Sequence, residues 1–250
     1  VTGIAYETVT SSDGSMPLLA PMSTIAGQLA FVVGSYHLLK HNKGKGVMIG
    51  HMDDMDPRVV TVIGAGVAGT QSILKAIDNK ALVKVVDSSQ SKLDDLKSKY
   101  GTDNIEYILS TKDSIQVSVN ESDLVIGSVY VVGKEAPKVV TKDMLSSMNP
   151  GTVMVDVSID QGGCFETSKP TTHDSPTFLE NEIVHYCVTN MPGAVPLTAT
   201  EALNKVSLSY VENLANNGIQ NALDSDEHLR NGLNILDGRI VHPGVREALE

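Results

Sequence analysis

The residues best suited to chemistry in this 250-residue chain are Gly64-Ala65-Gly66-Val67-Ala68-Gly69, followed by Asp87. In this spacing each glycine has a separate task. Gly64 permits a tight turn, Gly66 lets the backbone approach a pyrophosphate, and Gly69 lets a helix pack against a strand. The helix that begins at Val67 points unpaired N–H groups at an anion, which its dipole also favours. Asp87 follows Gly69 by 87 − 69 = 18 positions, near the spacing of roughly 20 expected of a ribose-binding acid. A carboxylate there accepts hydrogen bonds from a free 2′-hydroxyl and repels a 2′-phosphate, so NAD is expected over NADP.

These residues need a scaffold, and the flanking sequence supplies one. Val59 to Ile63 is an apolar run before the glycines, Val67 to Ile77 is helix-like, and Leu82 to Val86 is a second apolar run closed by Asp87. Ile105 to Leu109, Leu124 to Val129, Thr152 to Ile159 and Glu182 to Val188 are further predicted strands. Their near-continuous Val, Ile and Leu content indicates burial on both faces, hence a mainly parallel sheet covered by helices. The expected class is α/β, a doubly wound Rossmann sheet. Ligands in such sheets bind outside the carboxyl ends of the strands. The turn-rich loop from Tyr130 to Pro137 and the Asp160-Gln161-Gly162-Gly163 loop are therefore both placed for function. Asp160 is equally readable as a turn acid with only local hydrogen bonds.

Outside this core, Met22 to His41 has the apolar periodicity of a long helix, with Ser23 as its expected N-cap. Gly27 and Gly34 on one face of it predict close packing. A strand is predicted over Val1 to Val9, a short one over Gly46 to Ile49, and helices over Ser89 to Tyr100, Lys142 to Met148 and Thr198 to Asn216, the last capped by Thr198 or Thr200. A hairpin is predicted around Asp237-Gly238. His185 lies inside an apolar strand and reads as a buried, hydrogen-bonded histidine. His173, in a polar loop, is the one histidine with a conceivable acid–base role.

Bulk properties exclude several function classes. Hydrophobic residues make up 41% of the chain, enough for a sizeable core, whereas aromatics make up 4% with no Trp, too few for base-stacking platforms. A net charge of −11 and a pI near 5.0 argue against nucleic acid or an anionic membrane as partner. Cys164 and Cys187 are in no metal-ligand spacing and are expected as buried free thiols, which fits a cytoplasmic protein. The chain opens on Val inside an extended stretch, so a longer natural protein is expected.

Four phrases are more specific than the glycine loop: Pro17 to Ser23, Val155 to Gly163 (Val-Asp-Val-Ser-Ile-Asp-Gln-Gly-Gly), Lys169 to His173, and Asn190 to Pro196 (Asn-Met-Pro-Gly-Ala-Val-Pro). They resemble bacterial alanine dehydrogenases along essentially the whole chain and, more loosely, the nucleotide-binding subunit of proton-pumping transhydrogenases. The resemblance implies oxidative deamination: L-alanine, NAD and water give pyruvate, ammonium and NADH. It also implies that Asp160 is the active-site aspartate. Val157, Ser158, Ile159, Val188, Thr189, Asn190 and Met191 would lie at the nicotinamide end, and Val67 and Ala68 at the pyrophosphate. Lys92, Ser110, Val129 and Tyr130 would line the adenine and central parts. Ser23 and Lys169 match further cofactor contacts, although the family can carry arginine at the latter position. The alternatives are a non-catalytic NAD-binding module or a transhydrogenase subunit.

The same resemblance assigns residues 1–17 to the end of a catalytic domain and 18–196 to the NAD-binding domain, including the long helix. Residues 197–250 would be helices that pack with the catalytic domain. The family's acid–base histidine and its substrate-gripping arginine and lysine belong to an amino-terminal domain with no counterpart in these residues. The chain alone is thus expected to bind NAD and to turn over alanine poorly. A homo-oligomer, a hexamer by resemblance, is expected, with a small-molecule substrate and no nucleic-acid or membrane partner.

Overall fold

Unbroken runs of β-branched residues become parallel strands here because both faces of each strand are buried. In the computed structural model, which describes residues 1–131 and 135–249, the elements run as follows. β1 (Gly3–Ile4) and α1 (Ala20–His37) come first. Then β2 (Val59–Ile63), α2 (Val67–Asp78), β3 (Leu82–Asp87), α3 (Gln90–Tyr100), β4 (Ile105–Leu109), α4 (Lys112–Glu121) and β5 (Leu124–Gly127) alternate. β6 (Val153–Asp156), β7 (Thr177–Glu180) and β8 (Ile183–Tyr186) follow, and then α5 (Pro196–Ser225), α6 (Glu227–Asn231), β9 (Leu233–Leu236), β10 (Arg239–Ile240) and α7 (Pro243–Leu249). The chain divides into two compact units, Ile25–Ala194 and a second formed by Val1–Thr24 with Val195–Glu250.

The larger unit holds a seven-stranded sheet in the order β4-β3-β2-β5-β6-β8-β7. All neighbours are parallel except the edge pair β7–β8. Leaving out the antiparallel edge strand, this is the doubly wound dinucleotide-binding order, with its switch point between β2 and β5. Alternate residues face opposite sides. Val60, Val62, Val83, Val85, Leu124, Ile126, Val153 and Val155 point into one core, with α1 residues Ala30 and Phe31. Ile63, Val86, Val125 and Met154 point into another, with Ile115 and Val119 of α4. Each such side chain contributes on the order of 1.5–3 kcal/mol when fully buried.

The smaller unit pairs β9 with both β1 and β10, antiparallel, around Ala222, Leu223 and Leu229. The hairpin at Asp237-Gly238 forms as predicted.

Several expected elements differ. β1 is two residues long, and Tyr6–Thr8 is a 3-10 turn. Residues 46–49 form no strand. The 142–148 helix is a 3-10 turn, Lys142–Ser147. β6 stops at Asp156 and the chain enters a 3-10 turn, Val157–Gln161. α5 begins two residues before Thr198, with Pro196 in its first turn and no side-chain cap, and it kinks at Gly218 (φ 72°). Ser23 is not an N-cap: it lies inside α1, its N–H bonded to the Leu19 carbonyl at 3.1 Å. Gly27 and Gly34 do mark close packing. A side chain at Gly27 would strike the Ala68 backbone, and one at Gly34 the Leu124 side chain.

Candidate functional site

β2 ends at Ile63 and the chain turns sharply through Gly64, whose φ of 95° and 2.6 Å clearance to the Ser128 carbonyl exclude a Cβ. Gly69 lies so close to the Gly64 carbonyl oxygen and the Ser128 hydroxyl that a methyl would overlap both. Gly66 differs: its Cβ position opens onto free space. The helix that follows it carries no side-chain cap, whereas Ser89 caps α3 and Thr111 caps α4 in a reciprocal box with Ser114. α2 thus begins with N–H groups unclaimed by side chains, beneath open space and beside exposed Val67. That is the cradle a pyrophosphate requires. α1 braces it from behind, where Ser72 Oγ donates to the Gly27 carbonyl at 2.7 Å.

Asp87 closes β3 at 7% exposure. One carboxylate oxygen accepts the Ala65 N–H at 2.7 Å and the other the Ser89 N–H at 2.8 Å. The acid therefore holds the glycine turn and the start of α3 together, with lone pairs left for ribose hydroxyls, since a carboxylate offers about four acceptor sites. Ser110 joins it through its N–H to the Asp87 carbonyl, 2.9 Å. Lys92 is exposed on α3.

From this corner a row of contacts runs along the carboxyl ends of the strands. Ser128 Oγ donates to the Gly64 carbonyl at 2.7 Å, and Ser158 Oγ to the Val129 carbonyl at 2.8 Å. Val157 is half-buried and Ile159 buried. The exposed Asp160 carboxylate accepts the Asn190 N–H at 3.3 and 3.4 Å. The Asn190 carbonyl lies 3.3 Å from His173 Nε2, and Asn190 itself takes a left-handed φ of 52°. His173 thus supports the Asn190 turn. Tyr130 is 43% exposed at the mouth of the loop after β5, while Val132 to Lys134 of the predicted 130–137 loop lie outside the described residues.

Other predicted residues have separate commitments. Val188 and Met191 are buried in the sheet's core, and the Thr189 N–H bonds to the Thr171 carbonyl at 3.3 Å. Lys169 pairs with Glu180 at 3.4 Å and covers the Phe178 ring. Ser23 belongs to the other compact unit. Both cysteines are free and buried; burial pushes the Cys187 thiol up to about 12. His185 is fully buried, between Thr167 Oγ1 at 2.8 Å and the Ile183 carbonyl at 3.1 Å.

Sequence reasoning missed Asp156. Fully buried at the end of β6, it accepts from the Ser158, Cys164 and Phe165 N–H groups and from Ser168 Oγ at 2.5 Å. Burial raises its carboxyl above the ordinary value, outweighing the hydrogen bonds from Ser168, Phe165 and Cys164 that lower it. The available signal was an acid in the last position of an apolar run, the same signal that singles out Asp87.

The family model described as "Alanine dehydrogenase/PNT, C-terminal domain" matches residues 30–243. The chain belongs to that family. An alanine dehydrogenase of Halomonas elongata is 49% identical over 247 residues, which cover 99% of this chain and 66% of that protein. Solved structures also resemble the chain. An L-alanine dehydrogenase is 43% identical at a TM-score of 0.94, covering 99% of this chain and 68% of that one. A transhydrogenase from Sinorhizobium meliloti is 21% identical at a TM-score of 0.79 over 96% of this chain and 68% of its own, and shares the fold. The chain thus spans about two thirds of the length of these relatives.

Proposed function

We propose that this chain is the NAD-binding part of an L-alanine dehydrogenase, an enzyme of oxidative deamination in alanine catabolism. The reaction converts L-alanine, NAD and water to pyruvate, ammonium, NADH and a proton. The observation that carries this reading is the row of hydrogen bonds that links the open, uncapped glycine turn to Asp160 through Ser128, Val129 and Ser158. Its weight comes from the alanine dehydrogenases, which match nearly the whole chain. NAD, when bound, supplies the acceptor for the hydride that leaves the alanine alpha carbon.

The chain's own residues do the rest on this side of the site. Gly66, Val67 and Ala68 receive the pyrophosphate with backbone N–H groups, and Asp87 accepts the adenosine ribose hydroxyls. Ser110, Val129, Tyr130 and Lys92 border the adenine and middle of the cofactor, with Ser23 and Lys169 as outer contacts. Val157 to Ile159 and Val188 to Met191 form the wall for the nicotinamide. Asp160, exposed and bonded among the described residues to the Asn190 N–H, would hold substrate or water and stabilise the charge that develops on the amine. In this reading the protein works in the cytoplasm as a homo-hexamer. No helix among the described residues is long and apolar enough to cross a membrane.

The test follows NADH formation from L-alanine by the full-length enzyme, together with NAD affinity, before and after Asp160→Ala. The variant is expected to lose about 10²-fold or more in turnover while NAD affinity changes by less than about twofold. Undiminished turnover would remove Asp160 from the mechanism. An affinity for NADP equal to that for NAD would remove the cofactor assignment.

A further inference from the structure

Asp156 has no place in the proposed chemistry, yet among the described residues it is a heavily hydrogen-bonded side chain near the carboxyl ends of the strands. One of its oxygens accepts the Ser158 N–H at 3.0 Å and so caps the 3-10 turn that presents Val157 to Asp160. The other accepts the Cys164 N–H at 2.8 Å, the Phe165 N–H at 3.2 Å and the Ser168 hydroxyl at 2.5 Å. Ser168 in turn receives the Cys187 thiol at 3.7 Å, from the segment that runs on to Val188 and Asn190. A Cβ on Gly163 would come within 2.7 Å of the same carboxylate (φ 78°), so the loop's path is closed around it.

Three of these partners are backbone N–H groups, which can only donate, and the thiol of Cys164 also points at the carboxylate, at 3.5 Å. The carboxyl meets the N–H groups with acceptor lone pairs on both oxygens, and the Ser168 hydroxyl is the one partner that could also accept a proton from it. The carboxyl group holds the turn after β6 directly and reaches the segment after β8 through Ser168 and Cys187, the two segments of the proposed nicotinamide wall. Among the described residues, no hydrogen bond joins Asp156 to the glycine turn or to Asp87.

We infer that Asp156 is a positioning residue for the nicotinamide end of the dinucleotide and has no part in holding the adenosine end. This rests on the NAD-binding reading above. Asp156→Asn keeps the size of the side chain but turns one acceptor into a donor facing backbone N–H groups, so the wall shifts while the glycine turn and Asp87 stay as they are.

The experiment compares the affinities of NAD and of ADP-ribose, which lacks the nicotinamide, for the wild-type chain and for two variants, by calorimetric titration. Asp156→Asn is expected to weaken NAD by about tenfold or more, as when buried donors lose their acceptor, and ADP-ribose by less than about twofold. Ser168→Ala removes one donor and is expected to move the same ratio by a smaller factor. It carries the test if Asp156→Asn does not fold. Equal loss of both ligands in the variant that folds, or loss of neither, overturns the inference while leaving the NAD reading intact. A wild-type chain that binds ADP-ribose no better than it binds free ribose would overturn the NAD reading itself, and this inference with it.

Discussion

The two ends of the site are built differently. At β2 and β3 the surface is backbone: a glycine turn, an uncapped helix start, and one acid that bonds the turn from below. At β6 and β8 the surface is made of loops, and side chains hold it: Asp156 under the 157–168 segment, Ser158 to Val129, Asp160 and His173 on either side of the Asn190 peptide. A backbone cradle recognises what every dinucleotide shares, a pyrophosphate and a ribose. A side-chain lattice can differ between relatives on the same scaffold, so it is where the choice of reaction is made. In the proposed reading one end sets the cofactor and the other sets its use.

The sharpest way to break that contrast is to add one methyl group at each of two glycines in the same turn. Gly69→Ala would drive a Cβ into the Gly64 carbonyl and the Ser128 hydroxyl. The expected cost is about 3 kcal/mol, the upper part of the usual overpacking range, read as a lower urea midpoint with loss of NAD binding. Gly66→Ala points into open space at an ordinary φ of −76°. Its stability should change by less than about 0.5 kcal/mol, yet NAD should bind at least about tenfold more weakly, because the methyl occupies the approach of the pyrophosphate. Unchanged NAD affinity in Gly66→Ala would mean that the phosphates are not held at this turn.

A smaller effect is expected at Asp87. Asp87→Asn keeps one oxygen for the Ala65 N–H and removes the charge that opposes a 2′-phosphate. NAD should weaken by about tenfold, since a hydrogen bond to a charged group contributes roughly 1.5–3 kcal/mol, and the preference over NADP should narrow. A preference that survives intact would place the discrimination elsewhere.

How much of this was legible in the sequence follows the same division. The glycine turn and Asp87 are local, so their spacing announces them, and β2 to β5 appear in the sheet where apolar runs predict them. α4 was missed because Ile115, Val117 and Val119 alternate like a strand, although Val117 is exposed and only the other two are buried; the Thr111–Ser114 capping box was the correct signal. β6 was drawn too long because Val157 and Ile159 continue its pattern after the Asp156 carboxylate has turned the chain. β7 escaped because an antiparallel edge strand of four residues has no distinctive period. Ser23 looked like a cap because Pro21 precedes it, whereas α1 already begins at Ala20. Asp160 and Asn190 are 30 residues apart, and no local pattern states that they touch.

The smallest effect separates the two ends by pH. β8 carries His185 with no exposure, Nδ1–H donating to the Ile183 carbonyl and Nε2 accepting from Thr167, its ring stacked 4.9 Å from Phe178. Burial lowers its pKa below 6.5; Ile183 and the charge of Glu180 raise it, and Lys169 opposes them. Below pH 6.5 the unfolded chain takes up a proton that the folded one refuses, so stability falls as pH drops from there toward the folded value. His37 is lowered by burial in the same direction, at the far end of α1. His185→Gln retains hydrogen-bonding capacity without the titration. It should lower Tm at neutral pH, yet flatten the fall in Tm between pH 7 and 5 by about 2–4 °C, the shift that roughly 1 kcal/mol makes in a chain of this size. Amide exchange tells where the fall originates: mild acid should loosen β8 and the Asn190 turn before the glycine turn, since β2 and β3 contain no histidine. Simultaneous loosening of both ends would show that the backbone cradle and the side-chain lattice open as one unit.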